Sequence, residues 1–243
     1  AREWRLYPVY EEIMGVESDG NRRVKRGKWG LFDSTNDVWY LEIIYDGVGV
    51  IEGDGKRIIT KGGGDGLVDT SGLYAVWMWP SKKVAYDVIG AYEGDGKRIV
   101  TSRGYQGLLD ASGTYAEWPL DIIYKEVGGY EQGDGKRVVT NFSDKQGLID
   151  AANVPVDWVL KIVYDEVGEF EAADNHRRIK FDAPVNRYTL INAAGTWPPV
   201  DLSTYFTRID NAGAGAGVAR NERIAELYGK LGKIISGSWV PDP

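Results

Sequence analysis

The residues best suited to chemistry recur in phase along the chain. An arginine followed by β-branched residues stands at Arg57, Arg98 and Arg137, and each precedes the aspartate of a Leu-apolar-Asp run, at Asp69, Asp110 and Asp150. Strand alternation that brought guanidinium and carboxylate to one sheet face would make bidentate, charge-assisted pairs. Because they repeat, the first expectation for Arg57–Asp69, Arg98–Asp110 and Arg137–Asp150 is a structural ladder, ahead of a row of ligand sites. Gly-Asp-Gly-Lys-Arg turns begin at Gly53, Gly94 and Gly133. They resemble fragments of calcium loops, but one Asp per turn falls short of the converging oxygens that calcium requires. No metal site and no cofactor is expected.

Tryptophans at Trp39, Trp79, Trp118, Trp158 and Trp197 have two uses, as platforms for sugar rings or as filling between units. The expectation is core. Trp77 stands outside this spacing and is the candidate exposed aromatic; with Trp118 it would carry any glycan binding. The case for catalysis is thin. His176 is the only histidine and cysteine is absent. Neither a Gly-x-Ser-x-Gly elbow nor a His-Glu-x-x-His helix occurs. Each unit also repeats its acids, whereas a single active site breaks repeat symmetry. The chain is expected not to be an enzyme.

These residues sit on a duplicated module of about 40 residues. A block opening with Trp and closing with Tyr starts at Trp4, Trp39, Trp79, Trp118, Trp158 and Trp197. In the same phase come the Asp-Gly turn, the Arg-Ile/Val run and the Leu-apolar-Asp run, the last from Leu31 to Asp33, Leu67 to Asp69, Leu108 to Asp110 and Leu148 to Asp150. Each unit thus offers about four short runs rich in Val, Ile, Leu and Tyr, separated by Gly, Asp, Asn and Pro. Asp-Gly between two such runs is a hairpin signal, because Gly tolerates the positive φ of a tight turn.

Gly27-Lys28-Trp29-Gly30-Leu31-Phe32-Asp33 resembles the signature of the WG-repeat (KWG-repeat) family of bacterial proteins, and the segments Trp118 to Tyr124 and Tyr164-Asp165-Glu166-Val167 match its Pro and Tyr-Asp features. The likeness covers residues 4 to about 205. The Trp of the pair survives only at Trp29; Asp65, Gln106 and Gln146 replace it, while Gly66, Gly107 and Gly147 remain. The resemblance implies repeated β units and no established catalytic activity.

The expected fold is all-β. Residues 1–209 form five and a part repeats, as an open stacked array in preference to a five-bladed propeller. An Ala/Gly linker follows at 210–217. Ile224, Leu227, Leu231 and Ile234 then mark one stripe of an amphipathic helix over 218–236, read as an element that docks into a partner in preference to one that folds back to cap the last unit.

Composition narrows the partners. The net charge of −7, with basic residues spread evenly along the repeats, argues against nucleic acid. No apolar run reaches the ~18 residues of a membrane span. The start Ala-Arg-Glu-Trp lacks a signal-peptide pattern, but a removed signal would leave the same start. Cytoplasmic, exported and virion-associated locations all stay open. The leading expectation is a non-catalytic scaffold for protein–protein interaction within a bacterial or viral assembly; the alternative is a glycan- or cell-envelope-binding module.

Overall fold

The computed structural model describes residues 9–70, 86–110, 117–150, 157–181 and 187–194, together with the backbone of four strands between 208 and 241. Every element among them is a β-strand, and the strands form small antiparallel sheets rather than a closed barrel. Trp77, Trp79 and Trp197 lie outside the described residues, as does the expected linker at 210–217.

One hairpin-based plan recurs. The first repeat is β1 (Glu12–Ile13), β2 (Asn21–Arg26), β3 (Lys28–Asp33) and β4 (Val38–Tyr45), joined in that order. The second pairs β5 (Gly47–Val48), β6 (Lys56–Lys61) and β7 (Gly64–Asp69). The third has β8 (Val88–Ile89), β9 (Lys97–Ser102), β10 (Tyr105–Asp110) and β11 (Glu117–Tyr124), and the fourth β12 (Glu126–Val127), β13 (Lys136–Thr140), β14 (Gln146–Asp150) and β15 (Asp157–Tyr164). The fifth keeps β16 (Glu166–Val167), β17 (His176–Phe181) and β18 (Arg187–Asn192). The chain divides into two compact bodies, residues 1–123 and 124–243.

The turn before each Lys-Arg strand needs a left-handed residue. Gly55 and Gly96 supply it at φ 71° and 79°, and in the fifth repeat Asn175 takes the same role at φ 64°. The preceding Asp caps this turn by accepting the N–H two residues on, as Asp54 does from Lys56 at 3.1 Å and Asp95 from Lys97 at 3.2 Å.

Alternation then sends Ile59, Val100, Val139 and Ile179 into the interior, where they are fully buried. The core lies between successive sheets. One cluster joins Leu31, Leu41 and Tyr45 of the first repeat to Val48, Ile59 and Val68 of the second. Another joins Leu148 and Leu160 of the fourth to Val167, Ile179 and Ile191 of the fifth. Burying these aliphatic faces is the main driving force, about 25 cal/mol per Å² of apolar surface.

The tail corrects the expectation of a helix. Residues 222–227 and 230–235 are strands β20 (Glu222–Leu227) and β21 (Lys230–Ile235), in a sheet with β19 (Arg208–Ile209) and β22 (Ser238–Pro241). β20 and β21 pair from Glu222↔Ile235 to Leu227↔Lys230, the same six-rung register as Lys97↔Asp110 to Ser102↔Tyr105. The segment is therefore a sixth repeat hairpin. Ile224, Leu227, Leu231 and Ile234 therefore lie on two paired strands and not along one helix.

Candidate functional site

The recurring arginines are the largest fully buried side chains among the described residues: Arg57, Arg98, Arg137 and Arg177. Their partners are not the aspartates that the sequence suggests. Asp69 lies opposite Lys56 and Asp110 opposite Lys97, while Arg57 and Arg98 lie opposite Val68 and Leu109. Asp150 is likewise opposite Lys136, one rung from Arg137. Directly opposed residues share a face and the next rung takes the other, so each Arg and its expected Asp point to opposite sides of the sheet.

Arg57, Arg98 and Arg177 instead reach into the acidic turn of the preceding repeat. Arg57 Nη1 donates to Glu17 Oε2 at 2.9 Å, and Nη2 to Asp19. Arg98 Nη1 donates to Glu52 Oε1 at 3.2 Å and Nη2 to Asp54 Oδ1 at 2.8 Å. Arg177 repeats the arrangement with Glu131 Oε1 at 2.9 Å and Asp134 Oδ1 at 2.6 Å. Each guanidinium also donates to a backbone carbonyl of its own repeat: Gly49, Gly90 and Gly168 at 2.9–3.1 Å, and for Arg137, Gly128 at 3.1 Å. Arg98, Arg137 and Arg177 lie over the rings of Tyr92, Tyr130 and Phe170.

A buried charge is tolerable only when paired and hydrogen-bonded. For Arg177 burial pushes the pKa down, but the hydrogen bonds from its guanidinium to Asp134 and Glu131, with their charges, carry it above the ordinary value. The Glu of each clamp has a second task. Glu17, Glu52 and Glu131 accept the backbone N–H of Ile51, Tyr92 and Phe170 at 3.1, 2.8 and 3.0 Å. One carboxylate thus bridges guanidinium and main chain of the following repeat. A Glu-x-Asp or Glu-x-x-Asp spacing before the Lys-Arg strand is the sequence signal for this clamp.

The position that holds Trp29 in the first repeat is a second link between neighbours. Asp65 Oδ2 accepts the N–H of Ile89 at 3.1 Å, and Gln146 Oε1 accepts that of Val167 at 2.7 Å. Trp29 itself packs against the core shared with the second repeat. A side chain that touches the next repeat's opening strand is what this slot requires, and an aromatic, a carboxylate or an amide can meet it.

The glycine beside that slot is fixed by space. A Cβ on Gly30 would lie 2.9 Å from Leu41 O, on Gly107 2.7 Å from Asp121 O, and on Gly147 2.8 Å from Leu160 O. Register shifts in β4 and β15 press the outer strand inward at this point.

β4, β11 and β15 are sheet edges. Trp39 and Trp158 do not fill the core as expected: they are 38% and 39% exposed, Trp39 lying against Phe32 and Tyr10 and Trp158 against Tyr124. Ile44, Ile123 and Val163, near the other end of these strands, are exposed as well. The side chain of Trp118, like the whole of Trp77, lies outside the described residues, so nothing described supports a glycan site. A polar cavity of about 320 Å³ opens between β14, β16 and β17, beside the ion pair of Arg178 with Glu166 at 2.7 Å. Among the described residues no group of three or more His, Cys, Asp or Glu is arranged to hold a metal, and no helix is long and apolar enough to cross a membrane.

No family model matches the chain, and no curated protein matches it. Among solved structures it is similar to a chain of the mitotic checkpoint complex, at 12% identity and a TM-score of 0.34 over 99% of this chain and 83% of that one. It is similar to the N-terminal domain of Nup159, at 7% identity and a TM-score of 0.35 over 98% and 76% of the two chains. Hsv2p of Kluyveromyces lactis matches at 6% identity and a TM-score of 0.33 over 93% and 74%. Likeness at this level identifies no shared site or activity.

Proposed function

We propose that the chain is a non-catalytic repeat scaffold that binds other proteins, as a structural component of a larger bacterial or viral assembly. One observation carries the reading. The buried charges of Arg57, Arg98 and Arg177 are spent on holding neighbouring repeats, and the described outer strands turn outward exposed apolar side chains, Trp39 and Ile44 on β4, Ile123 on β11, Trp158 and Val163 on β15. Exposed aromatic and aliphatic rows of this kind suit recognition by another protein. The register shifts in β4 and β15 disfavour simple addition of a partner strand, so side chains supply the contact. The glycines Gly30, Gly107 and Gly147, retained where the outer strand presses in, support the reading of the module as a WG-type repeat.

The test is photo-crosslinking from Val163 in the native source, with mass spectrometry of the captured chains. A reproducible partner that is lost when Ile123 and Val163 are changed to Lys upholds the reading. Capture that is indifferent to those changes and to the position of the crosslinker overturns it.

A further inference from the structure

We propose that the first repeat carries an open receptor for an acidic turn, built from the guanidinium of Arg22 and the backbone N–H of Val16. Arg22 lies opposite Phe32, the register that Arg57, Arg98 and Arg177 hold opposite Val68, Leu109 and Ile191. In those later repeats one Glu carboxylate bridges the guanidinium and an N–H six or seven positions before it: Ile51 for Arg57, Tyr92 for Arg98, Phe170 for Arg177. The corresponding N–H in the first repeat is that of Val16, six positions before Arg22 and adjacent to Glu17.

Among the described residues the two donors have no acceptor. Among the described residues the Arg22 guanidinium makes no ion pair or hydrogen bond, and the Val16 N–H meets no acceptor. Both are reachable. Arg22 is half-buried where its counterparts are fully buried, and Val16 is 50% exposed. The molecule itself shows what fills this donor set three times over: a Glu and an Asp two or three positions apart, with nitrogen–oxygen distances of 2.6–3.2 Å where given for Arg98 and Arg177.

The occupant is an acidic turn on a different polypeptide. Among the described residues a second copy of this chain has no such turn to spare: Glu17, Asp19, Glu52, Asp54, Glu131 and Asp134 are in clamps, and Glu93, Asp95, Glu171 and Asp174 have partners as well. By sequence no Glu–Asp turn precedes Arg223 either. Counting back from Arg223, the clamp positions hold Gly217 or Val218, and Arg220. The inference deepens the scaffold reading, on which it rests, by giving the chemistry of one partner contact.

The experiment titrates the blocked peptide Tyr-Glu-Gly-Asp-Gly-Lys, a copy of residues 92–97, into the ¹⁵N-labelled full chain, following the Val16 amide and the Arg22 Nε–H. Both resonances should move saturably with a midpoint on the order of 1 mM. Binding should weaken roughly tenfold or more in Arg22→Met, since one partner of a charge-assisted pair is gone. Arg22→Lys, which keeps charge without the fork, should weaken it too. A peptide with Gln and Asn for its acids should not bind the unaltered chain. Immobility of both resonances, shifts that survive Arg22→Met, or equal shifts with acetate at the same carboxylate concentration would each overturn the receptor. Failure here alongside a crosslinked partner at Val163 removes the receptor and leaves the scaffold. Arg22-dependent peptide binding upholds the receptor even when no partner crosslinks.

Discussion

Asp54 closes its own turn on the N–H of Lys56 and, with the same carboxylate, holds the guanidinium of Arg98 in the next repeat. Local turn and long-range tie therefore stand or fall together. Both side chains are buried to 1% exposure, so cutting the pair strands a charge. Arg98→Met should cost about 3–5 kcal/mol in chemical denaturation, and adding Asp54→Asn to it should recover part of that loss. A loss under about 0.5 kcal/mol, the range of ordinary surface changes, would remove the clamp from the account of stability.

Gly107 faces the carbonyl oxygen of Asp121 with no room for a methyl group. Gly107→Ala should lower stability by about 1–3 kcal/mol, the usual effect of overpacking. Gly15, whose Cβ would meet nothing within 4 Å, is the matched control, and Gly15→Ala should stay within about 0.5 kcal/mol. Equal melting temperatures for the two variants would contradict the inward press of the outer strand.

Acid should loosen the first repeat. Burial pushes Glu17 up, but hydrogen bonds from Arg23, the Ile51 N–H and Arg57 bring it below its ordinary 4.5. Asp19 is likewise pushed up by burial and brought below 3.8 by Arg57 and Asn21. Hydrogen bonds from Tyr40, then Asn36, hold Asp33 at about 2. Carboxyls with depressed values bind more protons in the unfolded chain, so stability rises with pH through this window. It is fully present above pH 4.5 and is lost as pH falls toward 2. Melting temperature measured against pH should show this limb, and Asp33→Asn should make it shallower below pH 3.8.

Exposed positions on the outer strands should separate stability from binding. Val163→Lys and Ile123→Lys, at strongly exposed sites, should each change stability by no more than about 0.5 kcal/mol. The same variants should lose captured partner in the crosslinking experiment. A large drop in melting temperature would mean that these side chains serve the fold.

The tail gives a further check. Carbon secondary shifts over residues 222–227 and 230–235 should be those of extended chain. Helical shifts there would restore the reading that the Ile224–Ile234 spacing invites.

The period, the strand content and the turns were readable because each rests on local chemistry: Asp-Gly turns, β-branched runs, and apolar alternation such as Ile59 beside Thr60. The ion pairs were not, since Arg57 and Glu17 lie 40 positions apart and alternation within one hairpin says nothing about the neighbouring sheet. The nearby Asp69 drew attention because it recurs in phase, yet its rung belongs to Lys56. The paired acids at Glu17 and Asp19, Glu52 and Asp54, and Glu93 and Asp95 were the available sign, as regular as the arginines themselves. Trp39 and Trp158 read as core because size suggests burial, and only strand order reveals that they occupy an edge. In the tail a repeat too diverged to notice was overruled by an accidental helical spacing, although Gly229 and Gly232 oppose helix in that stretch.

Each described clamp joins the acidic turn of one module to the arginine of its successor, and a single copy carries both kinds of half. A duplication or deletion of one whole copy therefore brings its own hook and its own eye, and the joins on either side mate without further mutation. Length in such a chain is a heritable variable that evolution can adjust in steps of about 40 residues while leaving the interior chemistry unchanged.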